Sequence, residues 1–184
     1  MAAPRVLRPI LAISGSLRRD SINAAALRAA GRAAARDGLV VRIDDSPRAL
    51  PPFDPDLEPV PPEPVLRFRH ACADASGVLL AVPEYTFGIP GAFKNALDWT
   101  VRSGSLYRKP VAMLHVATPG RGAHVRDALA HVLRAHGAEV THHAVPIAAQ
   151  DRDASGEVSD AEVVERLRAV VVELAQRASA SRAA

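Results

Sequence analysis

One cysteine, Cys72, is all that this 184-residue chain contains. No internal disulfide can form, and the helical period around it marks Cys72 as a small buried hydrophobe. Aromatic residues make up only 4%, which leaves the core to Ala, Val, Leu and Ile. Lysine is almost missing: Lys94 and Lys109 are the only two among 23 Lys and Arg residues. The net charge of +3 therefore comes from arginine, and the arginines are scattered rather than gathered in a stripe with interleaved aromatics. That dispersal argues against nucleic acid as a partner and suits small phosphorylated ligands. No apolar run approaches a membrane span, and no charged-then-apolar leader opens the sequence. A soluble, cytoplasmic protein with no membrane partner is expected.

Metal and hydrolytic chemistry are poorly served too. Of the seven histidines, His142 and His143 are adjacent and face opposite sides of a strand. His131 and His136 are five apart on a helix, a poor spacing for joint ligation. No cysteine pair or H-E-x-x-H motif occurs, so no metal site is expected. A G-x-S-x-G nucleophile elbow is absent as well.

What is present is a regular alternation. Residues 6–13, 77–82, 111–117 and 140–147 are short, nearly continuous apolar runs, as strands buried on both faces require. Residues 39–43 add a fifth. Helical periods separate them: Ala25, Leu27, Ala29, Ala30 and Ala33; then Val65, Phe68, Cys72 and Ala75; then Val125, Leu129, Val132 and Leu133. Val163, Leu167, Val170, Val171 and Leu174 give the clearest period, opened by a predicted capping box from Ser159 to Glu162. Five strand–helix alternations predict an α/β fold, a doubly wound parallel sheet with helices on both faces and strand order 2-1-3-4-5. Residues 47–64 hold eight of the fifteen prolines. They predict an extended surface connection in which no helix survives. One domain over residues 1–184 is expected, with residues 177–184 a frayed tail.

Between the first apolar run and the first helical period lies Ser14-Gly15-Ser16-Leu17-Arg18-Arg19-Asp20-Ser21-Ile22-Asn23. This is what a phosphate needs at the end of a buried strand. Gly15 allows close backbone approach, Ser14, Ser16 and Ser21 offer hydroxyls, and Arg18 offers a planar cationic fork. The helix starting near Ser21 adds free amides and a positive dipole end. The alternative is that Ser21 is a plain N-cap and the arginines are solvated.

A second segment, Pro83-Glu84-Tyr85-Thr86-Phe87-Gly88-Ile89-Pro90-Gly91-Ala92-Phe93-Lys94-Asn95-Ala96-Leu97-Asp98-Trp99, follows the third apolar run. Gly88, Pro90 and Gly91 predict a tight irregular path, crowded by any bulky residue at 91, before a helix containing Lys94, Leu97 and Asp98. Together the two segments resemble the NAD(P)H-dependent FMN reductase family, the flavodoxin-like group that includes quinone, azo-dye and chromate reductases. Its phosphate loop reads approximately G-S-L-R-x-x-S-x-N, and residues 15–23 match it without a gap. Its ring loop reads approximately P-E-Y-N-x-x-x-P-G-x-L-K-N-A-x-D-W, from which this chain departs at Thr86 and Phe93. The resemblance covers residues from about 6 to about 175.

The resemblance implies a flavodoxin-like fold and non-covalent FMN. Ser14, Ser16, Arg18, Ser21, Ile22 and Asn23 would surround the phosphate, and Pro83, Glu84, Tyr85, Thr86 and Phe87 would line the flavin ring. Where the family has Asn, Thr86 forfeits any side-chain amide contact. A third loop, Thr118-Pro119-Gly120-Arg121-Gly122, corresponds to the family's Ser/Gly-rich loop beside the pyrimidine side of the flavin. Thr118, Gly120 and Gly122 are the candidates there, and Arg121 suits either solvent or the phosphates of the nicotinamide nucleotide. NADPH or NADH as co-substrate, a small-molecule electron acceptor and a homodimer or homotetramer are implied. No catalytic side chain is required for hydride exchange. Trp99 and Tyr107 are expected at a helix end or a subunit interface. A second class stays open: an FMN-binding electron carrier without its own nicotinamide site, although such flavodoxins are usually acidic.

Overall fold

The computed structural model describes residues 8–181. Five parallel strands, β1 (Ile10–Ser14), β2 (Val41–Asp44), β3 (Gly77–Ala81), β4 (Pro110–His115) and β5 (Glu139–Ala144), form one sheet in the order β2-β1-β3-β4-β5. Five helices connect and cover them: α1 (Ile22–Ala34), α2 (Glu63–Asp74), α3 (Gly91–Asp98), α4 (Ala123–Ala135) and α5 (Ala161–Ala180).

The central strands β1, β3 and β4 are apolar at both parities because both faces are covered. Ala12, Leu79, Ala81, Ala112 and Leu114 pack under α1 and α5. Leu11, Ile13, Val78, Leu80, Val111 and Met113 pack under α2, α3 and α4. The edge strands β2 and β5 are only partly buried, which explains their mixed composition. Several apolar runs outlast their strands. Val116, Val145 and Ile147 are buried beyond the ends of β4 and β5, and the Val145 and Ile147 N–H groups still donate to His115 and Val116 carbonyls. Residues 6 and 7 of the first predicted run lie outside the described residues.

Three expectations are corrected. The α5 N-cap is Asp160, not Ser159: its carboxylate accepts from Val163 N–H at 2.9 Å, while the Ser159 N–H is drawn off to the Asp151 carbonyl. The C-terminal residues do not fray from 177, because α5 runs to Ala180 and buries Ala178; residues 182–184 lie outside the described residues. The proline-rich stretch is not wholly without helix either. It makes single 3-10 turns at Ser46–Arg48 and Pro55–Leu57, and α2 takes Pro64 into its first turn, where a missing N–H costs nothing.

That proline-rich connection is fastened by the second half of the ring-loop motif. Asn95 accepts from Phe53 N–H at 2.7 Å and donates to the Pro51 carbonyl at 2.9 Å. Trp99 Nε1 donates to the same carbonyl at 2.9 Å, and its ring meets Phe53 edge-on. Below it, buried Arg69 makes a bidentate pair with Glu58, both contacts at 2.8 Å, and donates to the Trp99 carbonyl. Trp99 is thus fully buried at a helix end, while Tyr107 is exposed and covers Gly137.

Candidate active site

The three sequence-predicted loops converge at the carboxyl ends of β1, β3 and β4, where a parallel sheet reverses its winding and leaves a crevice. A cavity of about 530 Å³ lies there, within the size range of cofactor sites.

The first wall is the N-terminus of α1. Ser21 is the N-cap residue, yet its hydroxyl makes no capping bond. Asn23 is only 5% exposed, lines the cavity and has no side-chain partner among the described residues. No acidic residue occupies the first turn. The Ser21 hydroxyl, the Asn23 amide and the first N–H groups of this turn are thus available to a ligand that accepts hydrogen bonds. Ile22 lines the same wall.

The loop before the helix is shaped by its own hydroxyls. Ser14 Oγ accepts from Ser16 N–H at 3.1 Å, and Ser16 Oγ accepts from Arg18 N–H at 3.3 Å. Arg48 reaches across to the Leu17 carbonyl. Arg18 itself is exposed and is not among the residues that line the cavity. Gly15 has a different role from the one its loop position implies. A Cβ there would stand 2.6 Å from Val82 Cγ1, so glycine is required by the close approach of β1 to the end of β3.

The second wall is a tight hairpin. Tyr85 and Gly88 exchange both backbone hydrogen bonds, at 3.1 and 3.0 Å, and the two residues between them are left-handed, with φ 49° at Thr86 and 58° at Phe87. This is a type I′ turn, which ordinarily selects Asn or Gly. Pro83, Glu84 and Phe87 line the cavity; Tyr85 and Thr86 do not. Tyr85 shares a hydrogen bond with Ser16 at 3.3 Å instead. Contrary to the sequence-based expectation, residue 91 is uncrowded: a Cβ at Gly91 would meet nothing within 4 Å.

The third wall is the loop before α4. Its Pro119-Gly120 pair bends the chain, with φ +85° at Gly120 and the Arg121 N–H returning to the Thr118 carbonyl, as a type II turn requires. Gly120, Arg121 and Gly122 line the cavity, and Thr118 does not. Arg121 is exposed at the rim. The α4 N-terminus is already occupied: Glu84 Oε2 accepts from Val125 N–H at 3.0 Å. Of the two helix ends beside the cavity, that of α4 already faces the Glu84 carboxylate and that of α1 faces none.

Among the lining residues that the sequence reading did not name, two carry polar rings, His115 and His124. They flank the third loop on either side, and no motif marks them. His115 stacks on His142 with ring centroids 5.9 Å apart, and its buried Nε2 has no partner. Burial first, then the His142 ring, pushes its pKa down to about 4, so the imidazole is neutral at neutral pH. His124 sits on the first turn of α4 and meets Phe87 edge-on.

The cavity is thus lined by a helix end that faces no carboxylate and by apolar Val82, Pro83 and Phe87, a combination that suits a phosphorylated flat heterocycle. Known proteins agree with that geometry. A family model described as NADPH-dependent FMN reductase matches residues 9–152. A 2-hydroxy-1,4-benzoquinone reductase from Burkholderia sp is 39% identical over 93 residues, 50% of this chain and 50% of that protein. The chain likewise spans 60% to 62% of three further relatives. A probable NADPH:quinone oxidoreductase 1 from Oryza sativa subsp. japonica is 32% identical over 94% of this chain and 93% of its own. Among solved structures, FerB, a flavoenzyme NAD(P)H:(acceptor) oxidoreductase from Paracoccus denitrificans, superposes with TM-score 0.75 at 27% identity, covering 94% of this chain and 98% of that one. With its sheet order and a match across most of its length, this chain belongs to the NADPH-dependent FMN reductase family.

Proposed function

We propose that the protein is an FMN-dependent oxidoreductase that passes hydride from NADPH or NADH to a small-molecule acceptor. The observation that carries this reading is the pair of buried, unpartnered polar side chains, Ser21 and Asn23, at the one helix end left open beside the cavity. Ser21, Asn23, Arg18 and the first amides of α1 hold the phosphate, and Ser16 holds their loop in place through Tyr85. The residue 84–88 hairpin and the Thr118–Gly122 backbone hold the ring edges, and Val82 and Val116 exclude water from its inner face. The chemistry that FMN supplies when bound is two-electron exchange between the nicotinamide nucleotide and an acceptor such as a quinone, free flavin, azo compound or metal oxyanion. The protein's share is binding, orientation and access, with no side chain forming a covalent bond. One domain carries the whole site; a cytoplasmic location, beside the pool of reduced nicotinamide nucleotides, and a homodimer or homotetramer complete the reading.

The test is a comparison of FMN with riboflavin by fluorescence titration, followed by anaerobic addition of NADPH or NADH. FMN binds far more tightly than riboflavin, and Arg18→Ala weakens FMN while leaving riboflavin nearly unchanged. Either nucleotide then bleaches the bound cofactor. Equal affinities for FMN and riboflavin sink the phosphate assignment. Bleaching by dithionite but by neither nucleotide makes the protein an electron carrier.

A further inference from the structure

Arg48 belongs to a stretch of chain that the cavity does not use. It ends the 3-10 turn at Ser46–Arg48 in the proline-rich connection, and neither it nor Leu17 lines the cavity. Yet its guanidinium donates to the Leu17 carbonyl at 2.5 Å, across 31 positions of sequence. The same peptide unit is held at its other end, where the Arg18 N–H donates to Ser16 Oγ at 3.3 Å. A peptide unit is planar, so these two bonds fix the Leu17–Arg18 plane from both sides. From that plane hangs the Arg18 side chain, exposed and without a partner among the described residues. The protein holds the root of Arg18 and leaves its tip free.

Arg48 itself stands on a firm base. On one side, Ser46 N–H donates to Asp44 Oδ1 at the end of β2 and Ala49 N–H to the Ser46 carbonyl, both at 2.8 Å, with Pro47 buried between them. On the other side, Leu50 packs against the core under α2, α3 and α4. Beyond it, Pro51 and Phe53 are clamped by Asn95 of α3 and Trp99 at its end. Pro47, Pro51 and Pro52 restrict the backbone between the two anchors. Ordering a long arginine side chain costs conformational entropy, and a charged donor on a carbonyl is among the stronger hydrogen bonds.

We propose that Arg48 is a positioning residue of the cofactor site: by holding the Leu17–Arg18 peptide, it sets the root from which the Arg18 side chain reaches the phosphate at the α1 N-terminus. This deepens the FMN reading above and rests on it. Arg48 touches no ligand. Its effect passes through Arg18 and is therefore confined to the phosphate, while the 84–88 hairpin and the Thr118–Gly122 loop hold the ring as before. The proline-rich connection thereby becomes part of the site, carrying the anchor on α3 to the loop after β1. A residue that only braced the fold would act on phosphorylated and unphosphorylated flavins alike.

The test is fluorescence titration of the full chain, freed of flavin, with FMN and with riboflavin. Arg48→Met weakens FMN by about fivefold to tenfold, the loss of one charge-assisted hydrogen bond, and leaves riboflavin within about twofold. Arg48→Lys keeps a cationic donor for the single carbonyl and recovers FMN to within about threefold of the parent. In an Arg18→Ala background, Arg48→Met costs FMN less than about twofold, because the two residues act in series. Equal weakening of FMN and riboflavin makes Arg48 a brace of the fold and overturns the proposal. So does a loss of about fivefold or more in the Arg18→Ala background, which puts Arg48 on the phosphate itself. A parent that prefers FMN and is unmoved by Arg48→Met overturns the proposal and leaves the FMN reading standing. A parent that binds FMN and riboflavin equally overturns both.

Discussion

The hydroxyls of Ser16 and Tyr85 stand 3.3 Å apart, joining the loop after β1 to the hairpin after β3. The two residues are 69 positions apart in sequence, yet the β1–β3 pairing brings their loops side by side. Neither side chain lines the cavity, so their work is to hold two ligand-bearing segments in mutual register. Tyr85→Phe removes the bond and keeps the ring. A neutral hydrogen bond contributes about 0.5–1.5 kcal/mol net, so FMN affinity drops by about twofold to tenfold. Fluorescence titration of Tyr85→Phe, Ser16→Ala and the double variant checks this, since the second substitution adds little once the first has been made.

Thr86→Asn stabilises the hairpin. Thr86 occupies a left-handed position, φ 49°, that a β-branched residue tolerates poorly and Asn adopts readily. The expected gain is about 0.5–1 kcal/mol on the scale of favourable turn substitutions, read as a higher thermal midpoint of the apoprotein. FMN binding tightens by about twofold to tenfold if the new amide reaches the ring edge, and this second readout separates contact from backbone relief.

Gly15 and Gly91 give a contrast within one site. Gly15→Ala pushes a Cβ to 2.6 Å from Val82 Cγ1, and such overpacking costs about 1–3 kcal/mol. Gly91→Ala meets open space at the start of α3 and stabilises by about 0.4–1 kcal/mol through the unfolded chain. Chemical denaturation of the two variants against the parent gives opposite shifts in midpoint.

His115 sets an acid limb of stability. Its pKa is near 4 in the folded protein against an ordinary 6.5. Below pH 6.5 the unfolded chain takes up a proton that the folded chain refuses until about pH 4. Stability from this group is therefore intact above pH 6.5 and falls as pH drops from 6.5 to 4. His115→Leu flattens that window and removes the orphaned Nε2, a change worth about 1–3 kcal/mol. Denaturant midpoints measured from pH 7.5 to 4 for both proteins check the slope and the offset together.

Arg69→Met breaks the buried pair with Glu58 and leaves an uncompensated carboxylate, which costs about 3–5 kcal/mol. The contacts concerned involve Trp99 and Glu58 of the proline-rich connection, none of which lines the cavity. The expected result is a large loss of thermal midpoint, with much of it recovered by adding Glu58→Met. Differential scanning calorimetry of the single and double variants distinguishes the stranded charge from lost packing.

The sequence by itself determined the sheet. Apolar runs at both parities predict buried strands, helical periods between them predict right-handed crossovers, and 2-1-3-4-5 is the leading order under those rules and the one observed. The stretch from Ser16 to Asn23 likewise announced a loop and a helix start, because hydroxyls and a helical period are local features, and α1 does begin at Ile22. What the tertiary structure decided lay between segments. Gly15 looked like a ligand contact and is a spacer against Val82; Asn95 stood inside the ring-loop motif and, with Trp99 at the helix end, clamps Pro51 and Phe53. Glu84 closes one helix end and so singles out the other. His115 and His124 carry no motif, and only the packing of β4 and α4 brings them to the cavity. Hydrogen bonds and steric contacts depend on which atoms meet, and for residues 40 or 70 positions apart that is settled by the docking of whole elements, not by the spacing of letters along the chain.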